Sequence, residues 1–413
     1  MGLSILPMAF DSRPAGVLMR SGALTGAAWE EEDMTRMAFT GARVFYGGTL
    51  HENIALVIEG GHVLDLRPSS RLPEDLPRRN LREGILAPAF VDLQVNGGGG
   101  VMLGDDPSLA TLRTMAEAHA RLGATTILPT LISDTPAKVA SAIDAVAAAV
   151  DGGVKGIAGL HLEGPHLDPA RAGAHDPSVI RPMEDSDLRM LCEAAARLPV
   201  LKVTLAPEAA TPAQIAALVE AGVLVALGHS NCRLDAAREA TDAGARLVTH
   251  LFNAMSQLQG RSPGLVGSAL SDGRLSAGLI ADGVHVHPVS MKAAVAAKRG
   301  PGRIYLVSDA MAVAGTRRGS FEIGGRKVLR ANGRLTLTDG TLAGADLTLW
   351  RAVQVMVEEV GLAPAEALAM ATQIPADIIG SRAGRLDTGC PADFVHLGED
   401  LELRGVWRGG LKL

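Results

Sequence analysis

Residue types that can bind metal ions or move protons lie at the ends of strand-like runs in this sequence. Glu163 and His229 end the runs GIAGLHLE and GVLVALGH, and His250 lies near the end of RLVTHLFN. A carboxylate in an apolar strand is costly to bury unless a salt bridge, a raised pKa or a metal ion compensates for it. One histidine alone would suit a hydrogen-bonded core position. One carboxylate and two imidazoles with an open position favour a catalytic zinc or iron ion.

A further acidic residue follows another apolar run, in the stretch LVSDAM. Asp309 in this stretch is a candidate general base, which would take a proton from water and later pass it to a leaving group. The alternative is that Asp309 caps the next helix. His161 lies two residues before Glu163, and we expect it to point to the opposite face of the strand and to be structural.

The scaffold must bring several strand ends to one face. Apolar, β-branched runs alternate with alanine-rich helical segments through the middle of the chain, and this alternation predicts a (β/α)8 barrel of the TIM type. The reactive groups of such a barrel lie at the carboxyl ends of its strands. The eight predicted strands are AFVDLQVN, TTILPTLI, GIAGLHLE, VLKVTLAP, GVLVALGH, RLVTHLFN, LSAGLIAD and RIYLVSDA.

Strand patterns without helices flank this region on both sides. We expect residues 37–87 and 383–413 to form one small β-sandwich domain built from both termini. Residues 88–382 would form the barrel, with a strand-and-turn excursion, SFEIGGRKVLRANGRLTLTDGTLAG, after the eighth strand. Residues 1–36 show no sustained period and are expected to be a flexible extension.

Composition limits the possible partners. The formal net charge of the 413 residues is −6, with acids and bases interspersed, which disfavours nucleic acid and anionic membranes. The first residues lack the pattern of a secretory signal, and no apolar window is long enough for a membrane span. Cys192, Cys232 and Cys390 are far apart and match no zinc or redox spacing, which favours reduced thiols in a cytoplasmic protein.

Seven motifs resemble one known family in their sequence and their order. The family is N-acetylglucosamine-6-phosphate deacetylase, of the amidohydrolase superfamily, and the resemblance runs from about Met37 to the C-terminus. It implies hydrolysis of N-acetyl-D-glucosamine 6-phosphate to D-glucosamine 6-phosphate and acetate in amino-sugar catabolism. The motifs are DLQVNGGGG, GLHLEGPHLDPARAGAH, ALGHSN, THLFNAMS, ADGVHV, LVSDAMAVAG and TLAGADLT.

The resemblance also implies a role for individual residues. Glu163, His229 and His250 would bind one divalent metal ion per subunit, zinc or iron, and Asp309 would be the catalytic acid/base. His175 would polarise the acetyl carbonyl. Some phosphate contacts would come from a neighbouring subunit, which implies a homodimer. The remaining residues expected to contact substrate are Ala174, Asn253, Ala254, Arg261, His285, Leu342, Ala343 and Gly344.

The chain departs from the superfamily pattern at strand one. Many amidohydrolases hold a second metal there with His-x-His, whereas this chain has Gln94 and Asn96. Neutral amides are poor zinc ligands, so a single-metal site is expected, with water or a substrate hydroxyl in the nearby pocket. His166 stands where relatives often have an aromatic residue, and a loop position or a supporting role at the site both suit it.

The substrate epimer and catalytic competence are two further questions for the sequence. N-acetylgalactosamine 6-phosphate differs by the orientation of one hydroxyl, which a few loop contacts would read. The loop SQLQGRSPG around Arg261 departs from the usual family form. A catalytically silent assembly protein is the third alternative, and the retention of Glu163, His229, His250 and Asp309 argues against it.

Overall fold

Short strands occupy the part of the chain that precedes the barrel. The computed structural model describes residues 36–413, so the expectation for residues 1–36 falls, except at Arg36, outside the described residues. These strands pair locally into two sheets rather than into the barrel. They are β1 Met37–Thr40, β2 Arg43–Tyr46, β3 Thr49–His51, β4 Ile54–Glu59, β5 His62–Pro68, β6 Arg78–Asn80 and β7 Ile85–Pro88.

Eight parallel strands then form a barrel in which neighbours in sequence are neighbours in space. The Asp309 amide donates to the Gln94 carbonyl oxygen at 3.1 Å, which joins the end of the eighth strand to the first. The (β/α)8 barrel predicted from the sequence is confirmed. Its strands are β8 Phe90–Val95, β11 Ala124–Ile132, β12 Leu160–Glu163, β13 Leu201–Leu205, β14 Leu224–Leu227, β15 Leu247–Val248, β16 Ser276–Leu279 and β17 Ile304–Leu306, and the short β9 Gly97–Gly98 and β10 Val101–Met102 follow β8.

Helices cover the outside of the barrel. The helix at Pro136–Asp151 buries Val139, Ala142, Ile143 and Val146, a spacing that places them on one side. In the part of the chain that the structure describes, no helix has the length and apolar character needed to cross a membrane. The helices are α1 Leu109–Arg121, α2 Pro136–Asp151, α3 Asp185–Arg197, α4 Pro212–Glu220, α5 Leu234–Asp242, α6 Gly264–Ser271, α7 Pro288–Ala297, α8 Leu349–Glu358, α9 Pro364–Ala371 and α10 Gln373–Ile378.

An antiparallel sheet follows the eighth barrel strand, where the sequence predicts a strand-and-turn excursion. Its inner face buries Ile323, Val328 and Leu335 against Met311, which lies just after the eighth strand. The sheet therefore covers one side of the barrel mouth. Its strands are β18 Ser320–Ile323, β19 Arg326–Ala331, β20 Arg334–Leu337 and β21 Leu342–Ala345.

The two ends of the described chain share one sheet. β22 Phe394–Leu397, which is followed by β23 Leu403–Arg408 and β24 Leu411–Lys412, pairs antiparallel with β7. The sheet of β5, β4, β1 and β6 packs on this one around Phe39, Phe394 and Trp407, whose ring centroids lie between 4.7 and 5.6 Å apart. A small sandwich built from both ends is therefore present. The boundaries 37–87, 88–382 and 383–413 stay predictions.

Candidate active site

Three residues at the barrel mouth turn the chain sharply after their strands. His229, His250 and Asp309 have positive φ angles of 46°, 30° and 49°. Non-glycine residues rarely adopt this left-handed conformation, which costs on the order of 1–3 kcal/mol each and is typical of functional sites. All three side chains line one cavity at the mouth. The strain therefore falls on the residues that the sequence predicts to carry the chemistry.

Glu163, His229 and His250 form a compact group whose ligand atoms lie within 4.8 Å of one another. His250 Nε2 is 3.0 Å from both Glu163 Oε1 and His229 Nε2. The Arg171 carbonyl oxygen accepts a hydrogen bond from His229 Nδ1 at 2.8 Å, which leaves a lone pair on Nε2 of the neutral ring. A carboxylate oxygen and an imidazole lone pair thus converge on one point. This donor set fits a divalent cation that binds both nitrogen and oxygen.

The carboxylate of this group is ionised before any cation binds. Burial alone would raise the pKa of Glu163, but hydrogen bonds and charge from His229 and His250 hold that pKa well below its ordinary value. Glu163 is therefore ionised inside the barrel mouth, where its side chain has almost no contact with solvent. A buried carboxylate of this kind attracts a cation strongly because little water competes for it.

Asp309 faces the same cavity and is held by two neutral amides. Its Oδ1 accepts hydrogen bonds from Asn96 Nδ2 at 2.7 Å and from Gln94 Nε2 at 3.1 Å. Burial and the charge of Glu163 raise the pKa of Asp309, which suits a group that must both take and return a proton. The alternative role as a helix cap is not adopted, because Thr348 caps α8.

His175 is fixed in one tautomer at the cavity wall. The Ser133 amide donates to His175 Nδ1 at 3.2 Å, and the Ser133 hydroxyl lies 2.7 Å from the same nitrogen. An amide can only donate, so Nδ1 holds the lone pair and the neutral ring carries its proton on Nε2. Burial lowers the pKa of His175 to about 3, which keeps the ring neutral at pH 7. His175 can therefore donate a hydrogen bond through Nε2 to a group in the cavity.

Most of the residues predicted from the sequence line this cavity of about 240 Å³. Three lie elsewhere: Gln94 is fully buried behind it, Ala343 packs in the core under the antiparallel sheet, and Arg261 is exposed on its loop. The predicted residues in the lining are Asn96, Glu163, Ala174, His175, His229, His250, Asn253, Ala254, His285, Asp309, Leu342 and Gly344.

His285 is held by Asp282, which the sequence analysis did not single out. Asp282 Oδ2 lies 2.6 Å from His285 Nδ1, and Oδ1 accepts the backbone amides of Val284 and His285 at 2.8 Å each. An aspartate that accepts from the backbone two and three residues on is an ordinary Asx turn, so the Asp-x-x-His spacing in ADGVHV was the available signal. The pairing leaves His285 Nε2 for a ligand in the cavity.

His161 lies inside the barrel below the Glu163–His229–His250 group. Its ring nitrogens are 3.1 Å from Thr130 Oγ1 and 2.8 Å from Thr204 Oγ1, on the two adjacent strands. The expectation that it points away from the face of Glu163 is wrong, because residues two apart on a strand share a face. Burial and the nearby Lys202 charge lower its pKa well below the ordinary value, so the ring is neutral.

His166 lies in a loop cluster outside the cavity. Its Nδ1 is 3.2 Å from the Arg181 carbonyl oxygen, and its Nε2 is 4.0 Å from Asp187 Oδ2. Asp187 also binds the Arg181 guanidinium. Burial lowers the pKa of His166, and these contacts place it in the packing of the loop rather than in the cavity lining.

Comparison with known proteins gives consistent matches along nearly all of the described chain. The model of the amidohydrolase family matches residues 85–411. N-acetylgalactosamine-6-phosphate deacetylase of Shewanella sp. (strain ANA-3) is 40% identical, over 90% of this chain and 94% of the relative. N-acetylglucosamine-6-phosphate deacetylase of Haemophilus influenzae is 33% identical, over 86% of this chain and 93% of the relative.

A solved structure of a related protein has the same fold over most of this chain. The crystal structure of N-acetylglucosamine-6-phosphate deacetylase from Pasteurella multocida superposes with a TM-score of 0.87 at 33% identity, and covers 92% of this chain and 100% of that chain. The family match spans all eight barrel strands and the strand ends that meet at the cavity.

Proposed function

Because this chain belongs to the amidohydrolase family, we propose that it hydrolyses the acetamide of an N-acetylhexosamine 6-phosphate. The main candidate is N-acetyl-D-glucosamine 6-phosphate, which would give D-glucosamine 6-phosphate and acetate. The observation that carries the proposal is the single cavity in which Glu163, His229 and His250 face Asp309 and the neutral His175. Each requirement of amide hydrolysis has a residue in this cavity.

The first requirement is a cation that the protein can hold. We propose one divalent ion per subunit, zinc first and iron second, bound by Glu163, His229 and His250. When bound, the ion supplies Lewis-acid activation of water and of the carbonyl group. The chain contributes the anionic carboxylate and the His229 lone pair, which the Arg171 carbonyl oxygen fixes in place.

The second requirement is proton transfer, which falls to Asp309. Its carboxylate removes a proton from the attacking water as the new bond to the carbonyl carbon forms. It then delivers that proton to the amide nitrogen, so that the carbon–nitrogen bond breaks and the amine leaves neutral. The raised pKa of Asp309 favours this second step.

The third requirement is a donor for the oxyanion, and we assign it to His175. Its Nε2 proton faces a carbonyl oxygen that becomes negative in the transition state, whereas its Nδ1 is held by Ser133. Because the ring is neutral at pH 7, it donates without adding a positive charge beside the metal-binding group.

Substitution of His175 by Phe removes this donor and keeps the ring volume. We expect kcat to fall about 10² to 10³-fold, as for loss of one oxyanion donor. Metal content should stay at the wild-type value, because His175 is not among the converging ligand atoms. Steady-state kinetics and elemental analysis on the same sample check this, and a fall in metal content with activity would assign His175 to the metal site instead.

The configuration of the sugar, glucosamine or galactosamine, is the part of the substrate that an assay must assign. The N-acetylgalactosamine-6-phosphate deacetylase that is 40% identical over most of this chain favours that sugar phosphate as the second candidate. Purified protein should be assayed with both compounds, with release of the primary amine as the readout. Release from either supports the deacetylase, and the ratio of the two kcat/KM values assigns the epimer. No release from either in metal-loaded protein would overturn the proposal.

The phosphate requires positive charge and hydrogen-bond donors around it. Asn253, Ala254 and His285 lie at the cavity, whereas Arg261 is exposed and outside its lining. We propose a homodimer in which Arg261 of one subunit contacts the phosphate of the substrate bound in the other subunit. A cytoplasmic location is part of the same proposal, supported by the three free cysteines.

A further inference from the structure

Two neutral amides, one at the end of the first barrel strand and one just after it, connect the acidic groups of the cavity. Gln94 Nε2 donates to Asp309 Oδ1 at 3.1 Å and to the two Glu163 oxygens at 3.2 and 3.3 Å. Asn96 Nδ2 donates to the same Asp309 oxygen at 2.7 Å, the shortest of these contacts. The two acidic residues come from different strands and repel each other, and the Gln94 amide lies between them.

The orientation of both amides follows from the chemistry of their partners. An ionised carboxylate only accepts hydrogen bonds, so the amino end of each amide must face it. The carbonyl ends, Gln94 Oε1 and Asn96 Oδ1, are buried and have no hydrogen-bond partner in the described part of the chain. The protein thus leaves two acceptors unsatisfied, at a cost, to keep the donors on the carboxylates.

Asp309 is consequently held by one oxygen only. Oδ1 accepts both side-chain amides, while no described residue donates to Oδ2. Asp309 nevertheless lines the cavity, so Oδ2 is the oxygen that can exchange a proton there. Resting on the proposed deacetylase function, we propose that Gln94 and Asn96 are positioning residues that fix Asp309 by Oδ1 and reserve Oδ2 for proton transfer.

In this arrangement Gln94 and Asn96 orient Asp309, in addition to being poor ligands for a second metal ion. An aspartate has several rotamers, and proton transfer requires a heavy-atom distance of about 2.6–3.2 Å to the reacting group. Two donors on one oxygen restrict the carboxylate to one orientation. The Asp309 backbone is already constrained by its positive φ and by its amide bond to the Gln94 carbonyl oxygen.

Asn96→Leu tests the proposal by removal of the stronger donor with little change of volume. We expect kcat to fall about 30-fold or more, within the ~10² to 10⁴-fold that general acid–base catalysis contributes. KM should stay within about threefold, because substrate binding does not use Oδ1. Metal content and the Kd of D-glucosamine 6-phosphate, measured by calorimetry, should match the wild type.

A double substitution separates positioning from general damage. If Asn96 acts only through Asp309, then Asn96→Leu should cause no further loss in an Asp309→Asn background, because the two residues act as a unit. A multiplicative loss in the double variant, or an unchanged kcat in Asn96→Leu, would overturn the proposal. Wild-type protein without activity on either sugar phosphate would instead overturn the deacetylase function.

His119→Gln is the matched control for packing of the same loop. His119 Nε2 lies 2.8 Å from the Gly97 carbonyl oxygen, next to Asn96 in sequence, but it does not contact Asp309. We expect this variant to lower Tm and to leave kcat within about threefold of the wild type. A loss of kcat equal to that of Asn96→Leu would show that loop packing, and not the hydrogen bond to Oδ1, controls turnover.

Discussion

Asp309→Asn is expected to lower kcat by about 10² to 10⁴-fold, the range for loss of a general acid–base group. The asparagine keeps the shape of the side chain but cannot take a proton from water or return one to the amide nitrogen. Metal content should remain at the wild-type value, because Asp309 is not part of the Glu163–His229–His250 group. Steady-state kinetics with elemental analysis and a thermal melt on one sample measure all three quantities.

The control for this prediction is Asp176→Asn. Asp176 is an exposed acidic residue next to His175 in sequence, and its substitution removes the same charge without touching the cavity. We expect kcat within about twofold of the wild type. A near-normal kcat in Asp309→Asn would show that another group moves the proton, and a loss of metal in that variant would make Asp309 a ligand.

The barrel and its reactive strand ends could be predicted because both depend on local patterns. Apolar runs of strand length alternate with helical segments, and the polar residue after each run is visible in the sequence. Glu163, His229 and His250 lie at or just after the ends of three separate strands, and the geometry of a barrel is sufficient to bring their side chains together. Residue type and position along each strand carried that inference.

The supporting contacts could not be predicted from these patterns, because they join distant parts of the chain. Ser133 fixes the His175 tautomer through a loop contact 42 residues away in sequence. Asn96 reaches Asp309 across 213 residues, where strand one meets strand eight in the closed barrel. Barrel closure itself was predicted, so the adjacency of these strands was available, but the choice of partner atoms depends on side-chain rotamers.

The expectation that His161 points away from the face of Glu163 was wrong for a different reason. The period of two along a strand places His161 and Glu163 on one face, and the sequence alone was sufficient to show it. The ring forms hydrogen bonds with Thr130 and Thr204 and packs in the layer below the Glu163–His229–His250 group. Its interior position therefore gives no reason to count it among the ligands.

Removal of a metal ligand is the other change with a very large expected effect. Glu163→Gln and His229→Ala should each lose the bound ion and with it essentially all turnover. Only two protein ligands would remain, which is fewer than the three that a catalytic zinc site uses. The apo proteins should stay folded, since the barrel core does not depend on the ion, with a lower Tm. The free energy of unfolding should fall by about 4 kcal/mol relative to wild-type protein measured with free metal at 1,000 times its Kd.

We also expect one metal ion per chain. A second cation beside the first would need anionic or imidazole ligands, whereas Gln94 and Asn96 turn their amide nitrogens toward the Asp309 and Glu163 carboxylates. Elemental analysis of the active wild type should give about one tightly bound zinc or iron ion. A chelator should abolish activity, and titration with zinc should restore it at one equivalent. Two tight ions per chain, with activity that rises through the second, would contradict the single-metal site and would require the two amides to turn away from the carboxylates.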